Sequence, residues 1–236
     1  MEEINHLAFI KEPTRNAKLW RYMSFAKFVD IISAQRIHLS KASAFNDPFE
    51  VSYPEIGRMY DRLYEEKGIS KESWLQNKEK ARLLQEEIKK EVFISCWHEC
   101  EYESAAMWDL YSSKEGVAVK ITAGNLLDLQ LSLSPELCFV SRVTYINFSG
   151  GEWDKVKQTN HSCAPFFYKR KSFEHEREVR MICKKESHPI ELDNFFDKII
   201  VHPQSEAWFL DLTKTLVQKF GINESKVMQS KLYELS

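Results

Sequence analysis

The residues of this chain best suited to chemistry lie in Glu176-Arg177-Glu178-Val179-Arg180. Side chains alternate across a strand, so Glu176, Glu178 and Arg180 are expected on one face. Val179, Met181 and Cys183 then share the other and meet the core. Two nearby carboxylates repel, which raises one pKa, while an adjacent arginine pulls the other down. Acid–base catalysis and the stabilisation of a developing cation both use that separation of roles. A solvent-facing strand with cross-strand salt bridges is the competing reading, because structural ion pairs perturb pKa values too.

Three other clusters carry weaker signals. In Trp20-Arg21-Tyr22 the guanidinium offers a fork of donors for a phosphate or ribose, and the tyrosine offers a ring for stacking. Core packing of the aromatics with an exposed arginine explains the same residues. Cys96, His98 and Cys100 alternate in an extended segment, but the spacing is not Cys-x2-Cys and no second ligand pair follows, so no metal site is expected. Phe166-Phe167-Tyr168-Lys169-Arg170-Lys171 suits stacking and phosphate contact with single-stranded nucleic acid. Its ordinary reading is a helix end with basic residues favourable to the macrodipole. Neither GxGxxG nor GxxxxGK[ST] occurs, so a Rossmann enzyme or a P-loop NTPase has no support.

The elements that must position these residues are legible in outline. Residues 1–18 read as an N-terminal arm and 19–236 as a single α+β domain. A strand is expected over 19–22. Ser24 then caps a helix in which Phe25, Phe28, Val29 and Ile32 share a face, ending near Gln35. A strand at 37–40 leads to Ala44-Phe45-Asn46-Asp47-Pro48-Phe49-Glu50, whose short polar side chains and proline suit a structured turn that supports the site's wall. Helices are expected over 55–66 and 71–90, the second burying Trp74, Ala81, Leu84 and Ile88. Further on, strands are expected at 92–97, 117–121, 138–145, 178–183, 196–201 and 226–232, with helices at 104–111 and 125–129. A last helix is capped by Ser205, carries Trp208, Leu212, Leu216 and Phe220 at helical spacing, and ends at Gly221. Strands and helices alternate without a regular βαβ rhythm, which favours α+β over a doubly wound sheet.

Composition sets outer limits. A formal charge of -2 gives no broad electrostatic footprint for duplex DNA or anionic membrane. No run approaches the ~20 apolar residues of a membrane span, and Met1-Glu2-Glu3-Ile4 does not read as a secretory signal. The five cysteines are odd in number and scattered, so free thiols in a reducing cytoplasm are expected.

Several boxes taken together resemble domain of unknown function 2971, a bacterial family often linked with phage defence. They are Leu19-Trp20-Arg21-Tyr22, Phe45-Asn46-Asp47-Pro48-Phe49-Glu50, Ser95-Cys96-Trp97, Met107-Trp108, Gly116-Val117-Ala118-Val119, and Lys171 through Arg180. The order of motifs also resembles ADP-ribosyltransferase domains, in which a first strand bears Arg or His, a middle strand bears Ser or Tyr, and a late strand carries the catalytic Glu, often in an ExE pair. Arg21, Ser95 and Glu176-Arg177-Glu178 match in turn, although Cys96-Trp97 departs from the usual Ser-Thr-Ser pattern.

That resemblance implies split antiparallel sheets with flanking helices and NAD as a substrate. It implies Glu178 as the catalytic carboxylate with Glu176 assisting, and Arg21, Tyr22, Ser95, Trp97 and Arg180 around the cofactor. The acceptor would be a protein or a nucleic acid. A non-catalytic binding module of the same fold and a magnesium-dependent nuclease, with Lys171 or Asp47 completing its site, are the alternatives. The transferase requires Arg21, Ser95 and Glu178 to converge on one cleft. Arg21 and Glu178 are expected on neighbouring strands around that cleft, and side chains on opposite faces of the sheet would remove the NAD reading. The nuclease requires a further carboxylate within metal-ligand reach.

Overall fold

The computed structural model describes residues 10–45, 47, 50, 68, 70–133, 138–148 and 163–234. The first strand, β1 (Lys18–Ser24), runs directly into α1 (Phe25–Ala34), which buries Phe28, Ile31 and Ile32 and stops at Gln35 in the left-handed region, φ 48°. Two short strands follow, β2 (Arg36–His38) and β3 (Ser40–Lys41). Next come α2 (Lys71–Glu91), β4 (Phe93–Glu99), α3 (Ala105–Tyr111), β5 (Gly116–Thr122) and α4 (Ala123–Ser132). Then β6 (Cys138–Arg142), β7 (Thr144–Ile146), β8 (Tyr168–Arg170) and β9 (Glu178–Cys183) appear. The chain closes with β10 (Ser187–Pro189), α5 (Leu192–Phe195), β11 (Lys198–Val201), α6 (Ala207–Lys219) and β12 (Val227–Gln229).

Among the described residues the main sheet has the order β12-β11-β5-β1-β4-β9-β6, with β3 added to β4. Every pairing in it is antiparallel except β11 with β12. The architecture is α+β. The register shows why the sheet is split. β1 stays with β5 from Lys18↔Thr122 to Ser24↔Gly116, yet it pairs with β4 only at Leu19↔Glu99 and Trp20↔His98. β4 meanwhile stays with β9 from Phe93↔Cys183 to His98↔Glu178. From Arg21 onward the two half-sheets therefore part, and a cleft opens between them.

Burial on both faces holds the halves. The run Val117-Ala118-Val119 of β5 is covered on both sides, as befits a central strand rich in β-branched residues. Leu19, Phe28, Val119, Val179, Met181 and Phe209 share one core with α1 and α6. On the other side Trp20, Tyr22, Met107, Trp108, Ala118 and Ile200 form a second, against α3. Phe166, Phe167 and Tyr168 join Ile94 and Ile182 in a third. No helix among the described residues is long and apolar enough to cross a membrane.

Several expectations need correction. Phe166–Arg170 is no helix end: a 3-10 turn at Ala164–Phe167 feeds β8, and its aromatic rings are core rather than a stacking platform. In α2 no residue is buried and Leu84 is exposed, since long charged neighbours leave only a half-covered stripe. The buried stripe of α6 is Phe209, Thr213 and Val217, one residue on from the expected Trp208 and Leu212, which are exposed. Ser205 does not cap that helix; its hydroxyl donates to the His202 carbonyl. Ser24 stands at the N-cap of α1 without a side-chain cap bond. Gly221 ends α6 at φ 80°, as expected. The helix expected over 55–66, and Asn46, Pro48 and Phe49, lie outside the described residues.

At Gly116 the start of β5 passes so close to the end of α3 that a Cβ would sit 2.8 Å from the Ser113 carbonyl oxygen and 1.6 Å from Ser112 Oγ. The hydroxyl can rotate away but the backbone must move. Gly116→Ala is expected to destabilise the fold by about 1–3 kcal/mol, read from urea denaturation midpoints.

Candidate active site

The expected charged strand is bent at its start. Lys171–Glu176 forms a 3-10 turn, Arg177 takes the left-handed region at φ 43°, and β9 begins only at Glu178. Such a conformation in a non-glycine residue costs on the order of 1 kcal/mol. Tertiary contacts hold it: the Glu99 N–H donates to the Arg177 carbonyl at 3.0 Å, and His98 Nδ1 meets the Glu176 carbonyl at 2.7 Å. Glu176 is therefore not on the strand. Its carboxyl reaches Glu178 by the turn, and both are buried.

Lys169 from β8 bridges the two. Its Nζ donates to Glu176 and, at 2.7 Å, to Glu178 Oε1. Arg180 closes the other side, with Nε donating to Glu178 Oε2 at 2.5 Å, Nη1 to the Phe166 carbonyl at 2.8 Å, and Nη2 to Glu50. The Glu178 N–H donates to Tyr145 Oη at 2.8 Å. Burial alone would raise the Glu178 carboxyl, but Arg180, the hydrogen bond from Glu176 and Lys169 outweigh it and hold Glu178 well below the usual range. Glu176 goes the other way. Burial, then the hydrogen bond shared with Glu178, push it up to about 7. Three carboxyls thus face two cations, and a proton on Glu176 removes the excess negative charge. One carboxylate is held ionised beside another poised to give or take a proton near neutrality.

Across the cleft stands Arg21 of β1. Its Nη1 donates to the His38 carbonyl and to Ser95 Oγ, both at 3.1 Å, and Trp97 Nε1 donates to the same hydroxyl at 3.0 Å. The guanidinium lies 5.8 Å from the Trp97 ring centroid. Burial lowers its pKa, yet a guanidinium stays charged. Among the described residues it has no carboxylate partner. Arg21 is half-buried; a cation shielded from water without a counter-charge is costly, and an anionic ligand would relieve the cost.

Arg21 and Glu178 line one cleft of about 980 Å³, with Tyr22, Phe45, His98 and Tyr111. They are not on neighbouring strands, because β4 lies between β1 and β9. They also alternate to opposite faces: Trp20, His98 and Glu178 are in register with one another, whereas Arg21 follows Leu19. In a continuous sheet that would separate them. Here β1 has already left β4, so both reach the gap. Ser95 is fully buried beneath it and orients Arg21. Trp97 is likewise core, under Arg21 and against Phe195. Arg180 is fully buried, with Nε, Nη1 and Nη2 bonded to Glu178, the Phe166 carbonyl and Glu50, so it holds Glu178 in place. Tyr22 packs edge-on against Trp108, with ring centroids 4.9 Å apart, and its Oη accepts the Ser104 N–H at 2.9 Å.

Lys169, Glu50, Tyr145 and Tyr111 were not singled out from the sequence as site residues. Glu50 belongs to the box read as a turn, and that box does bear on the wall: the Glu50 N–H donates to the Asp47 carbonyl and Asp47 pairs with Arg170. Lys169, not Lys171, is the lysine at the carboxylates. Among the described residues no group of three or more acidic, histidine or cysteine side chains is arranged to hold a metal ion.

No family model matches the chain, and no curated protein matches it. Among solved structures it is similar to Thermus sp. 2.9 DarT in complex with ADP-ribosylated ssDNA, at a TM-score of 0.41 and 9% identity over 94% of this chain and 97% of that one.

Two outcomes follow from the charge cluster. Folding holds the Glu176 proton above the ordinary carboxyl range, so stability falls as pH rises from about 4.5 to about 7. Glu178 removes stability only as pH drops below its unfolded range. Glu176→Gln is expected to flatten the upper limb and leave the acid limb, measured by urea denaturation across pH. Arg180→Met strands Glu178 and Glu50 and is expected to cost about 3–5 kcal/mol in the same assay.

Proposed function

We propose that this chain is an ADP-ribosyltransferase that cleaves NAD and transfers ADP-ribose to a protein or nucleic-acid acceptor. One observation carries the reading: a single cleft has a half-buried cation without a carboxylate partner among the described residues, Arg21, on one wall and a clamped carboxylate, Glu178, on the other. A dinucleotide with an anionic pyrophosphate and a ribose that becomes cationic offers the complement to both. The cleft volume lies in the range of small-molecule sites. The motif order supports it too, since β1, β4 and β9, bearing Arg21, Ser95 and Glu178, are adjacent in the sheet. The resemblance of the sequence boxes to a family linked with phage defence suggests a bacterial defence effector.

Each residue has a role under this reading. Arg21, with Nη1 held by Ser95 and His38, turns its remaining donors to the pyrophosphate or ribose. Tyr22 and Phe45 give the wall aromatic faces. Glu178 stabilises the oxocarbenium-like ribose as nicotinamide leaves, and its oxygens keep lone pairs beyond those used by Lys169 and Arg180. Held ionised, it needs no reorganisation when charge develops. Glu176 assists and steers the acceptor.

Purified protein is to be mixed with NAD and cell lysate, with nicotinamide release and labelled acceptors measured together. Glu178→Gln keeps shape while deleting charge and is expected to lose a hundredfold or more in nicotinamide release, on the order seen for removed electrostatic stabilisers. Glu176→Gln is expected to weaken transfer more than cleavage. Full cleavage by Glu178→Gln, or none by the parent, would favour a non-catalytic binding module on the same fold.

A further inference from the structure

We infer that His98 takes the proton from the acceptor nucleophile, with Nε2 as the receiving atom; this rests on the transferase reading of the same cleft. The ring lines the cleft and lies in register with Glu178 on the adjacent strand, on the same face. Its Nδ1 lies 2.7 Å from the Glu176 carbonyl oxygen. A carbonyl only accepts, so Nδ1 carries the hydrogen and the neutral ring has its lone pair on Nε2. Tyr22 packs edge-on against the ring, with centroids 6.5 Å apart, and fixes its plane. Burial lowers the pKa of His98, which keeps the imidazole neutral and able to accept a proton at physiological pH.

The competing bases are occupied. Glu178 is ion-paired to Lys169 and Arg180 and held far below neutrality, so it is a poor proton acceptor. Glu176, pushed up to about 7, is the other candidate, but its carboxyl already bonds Lys169 and Glu178, and taking the acceptor's proton would break those contacts. His98 Nε2 has no hydrogen-bond partner among the described residues and requires none to be broken. The step balances as follows. The C1′–nitrogen bond of NAD breaks and its electron pair leaves with neutral nicotinamide. A lone pair of the acceptor's O–H or N–H group forms the new bond to C1′, and the acceptor's proton passes to Nε2, giving an imidazolium that later releases it to water.

Water and azide separate this role from a structural one. Water must lose a proton to react at C1′, whereas the azide anion has none to lose. His98→Asn retains a donor near the Nδ1 position and deletes Nε2. The expected result is a fall of about a hundredfold in ADP-ribose formed with water, with formation of ADP-ribosyl azide in sodium azide unchanged from the parent. A misfolded variant would lose both products together, and His98→Gln then reads the same ratio. Nicotinamide release by the parent with an unchanged water-to-azide ratio in both variants overturns the role of His98 alone. No release by the parent, with either nucleophile, overturns the transferase reading and this one with it.

Discussion

The site depends on keeping the Glu178 carboxylate charged where almost no water reaches it. An isolated buried carboxylate would take up a proton, because desolvation outweighs any single distant charge. Arg180 and Lys169 prevent that from two sides, each within hydrogen-bond distance. The same guanidinium reaches Glu50 and the Phe166 carbonyl, so it ties β9 to segments 130 and 14 residues away in the chain. Such a network is strong only when every member is satisfied. Its completeness explains why an arginine can lie fully buried in a strand whose other members are Glu178 and the apolar Val179, Met181, Ile182 and Cys183.

The cleft itself arises from divided loyalty along β1. Its ladder with β5 is continuous, and its ladder with β4 stops after Trp20. The residue at the parting point is Arg21. The backbone that has left the ladder is replaced there by side-chain bonds, from Arg21 to Ser95 and to the His38 carbonyl. The split thus creates the opening and is bridged by the group that faces it. The turn at Arg177 does the matching work on the far wall. It takes Glu176 off the strand and sets its carbonyl against His98, so that both carboxyls meet Lys169 and an imidazole stands beside them.

What the sequence made legible is mostly local. Alternation in Glu178–Cys183 placed Val179, Met181 and Cys183 in the core, and helical spacing found α1 with its end at Gln35. Gly221 signalled its own left-handed turn. What was hidden is non-local. Nothing in Phe166–Lys171 says that Lys169 will sit over carboxyls supplied by a later turn and strand, because that depends on β8 pairing with β7. The left-handed Arg177 gives no local cue, since arginine rarely adopts it. The opposite-face relation of Arg21 and Glu178 follows from β4 lying between their strands, which spacing does not encode. In α6 a shift of one residue moved Trp208 from expected core to solvent, because Phe209 had the better partner in Phe25.

The most direct measurement is a crystal structure of Glu178→Gln soaked or co-crystallised with NAD. The expected density places the pyrophosphate against Arg21 in the gap between β1 and β4, with the nicotinamide ribose C1′ facing the side chain at position 178. NAD bound elsewhere, or a gap that stays closed to it while Arg21 remains bonded to Ser95 and His38 and a different anion or acidic segment neutralises it, would contradict the assignment of this cleft.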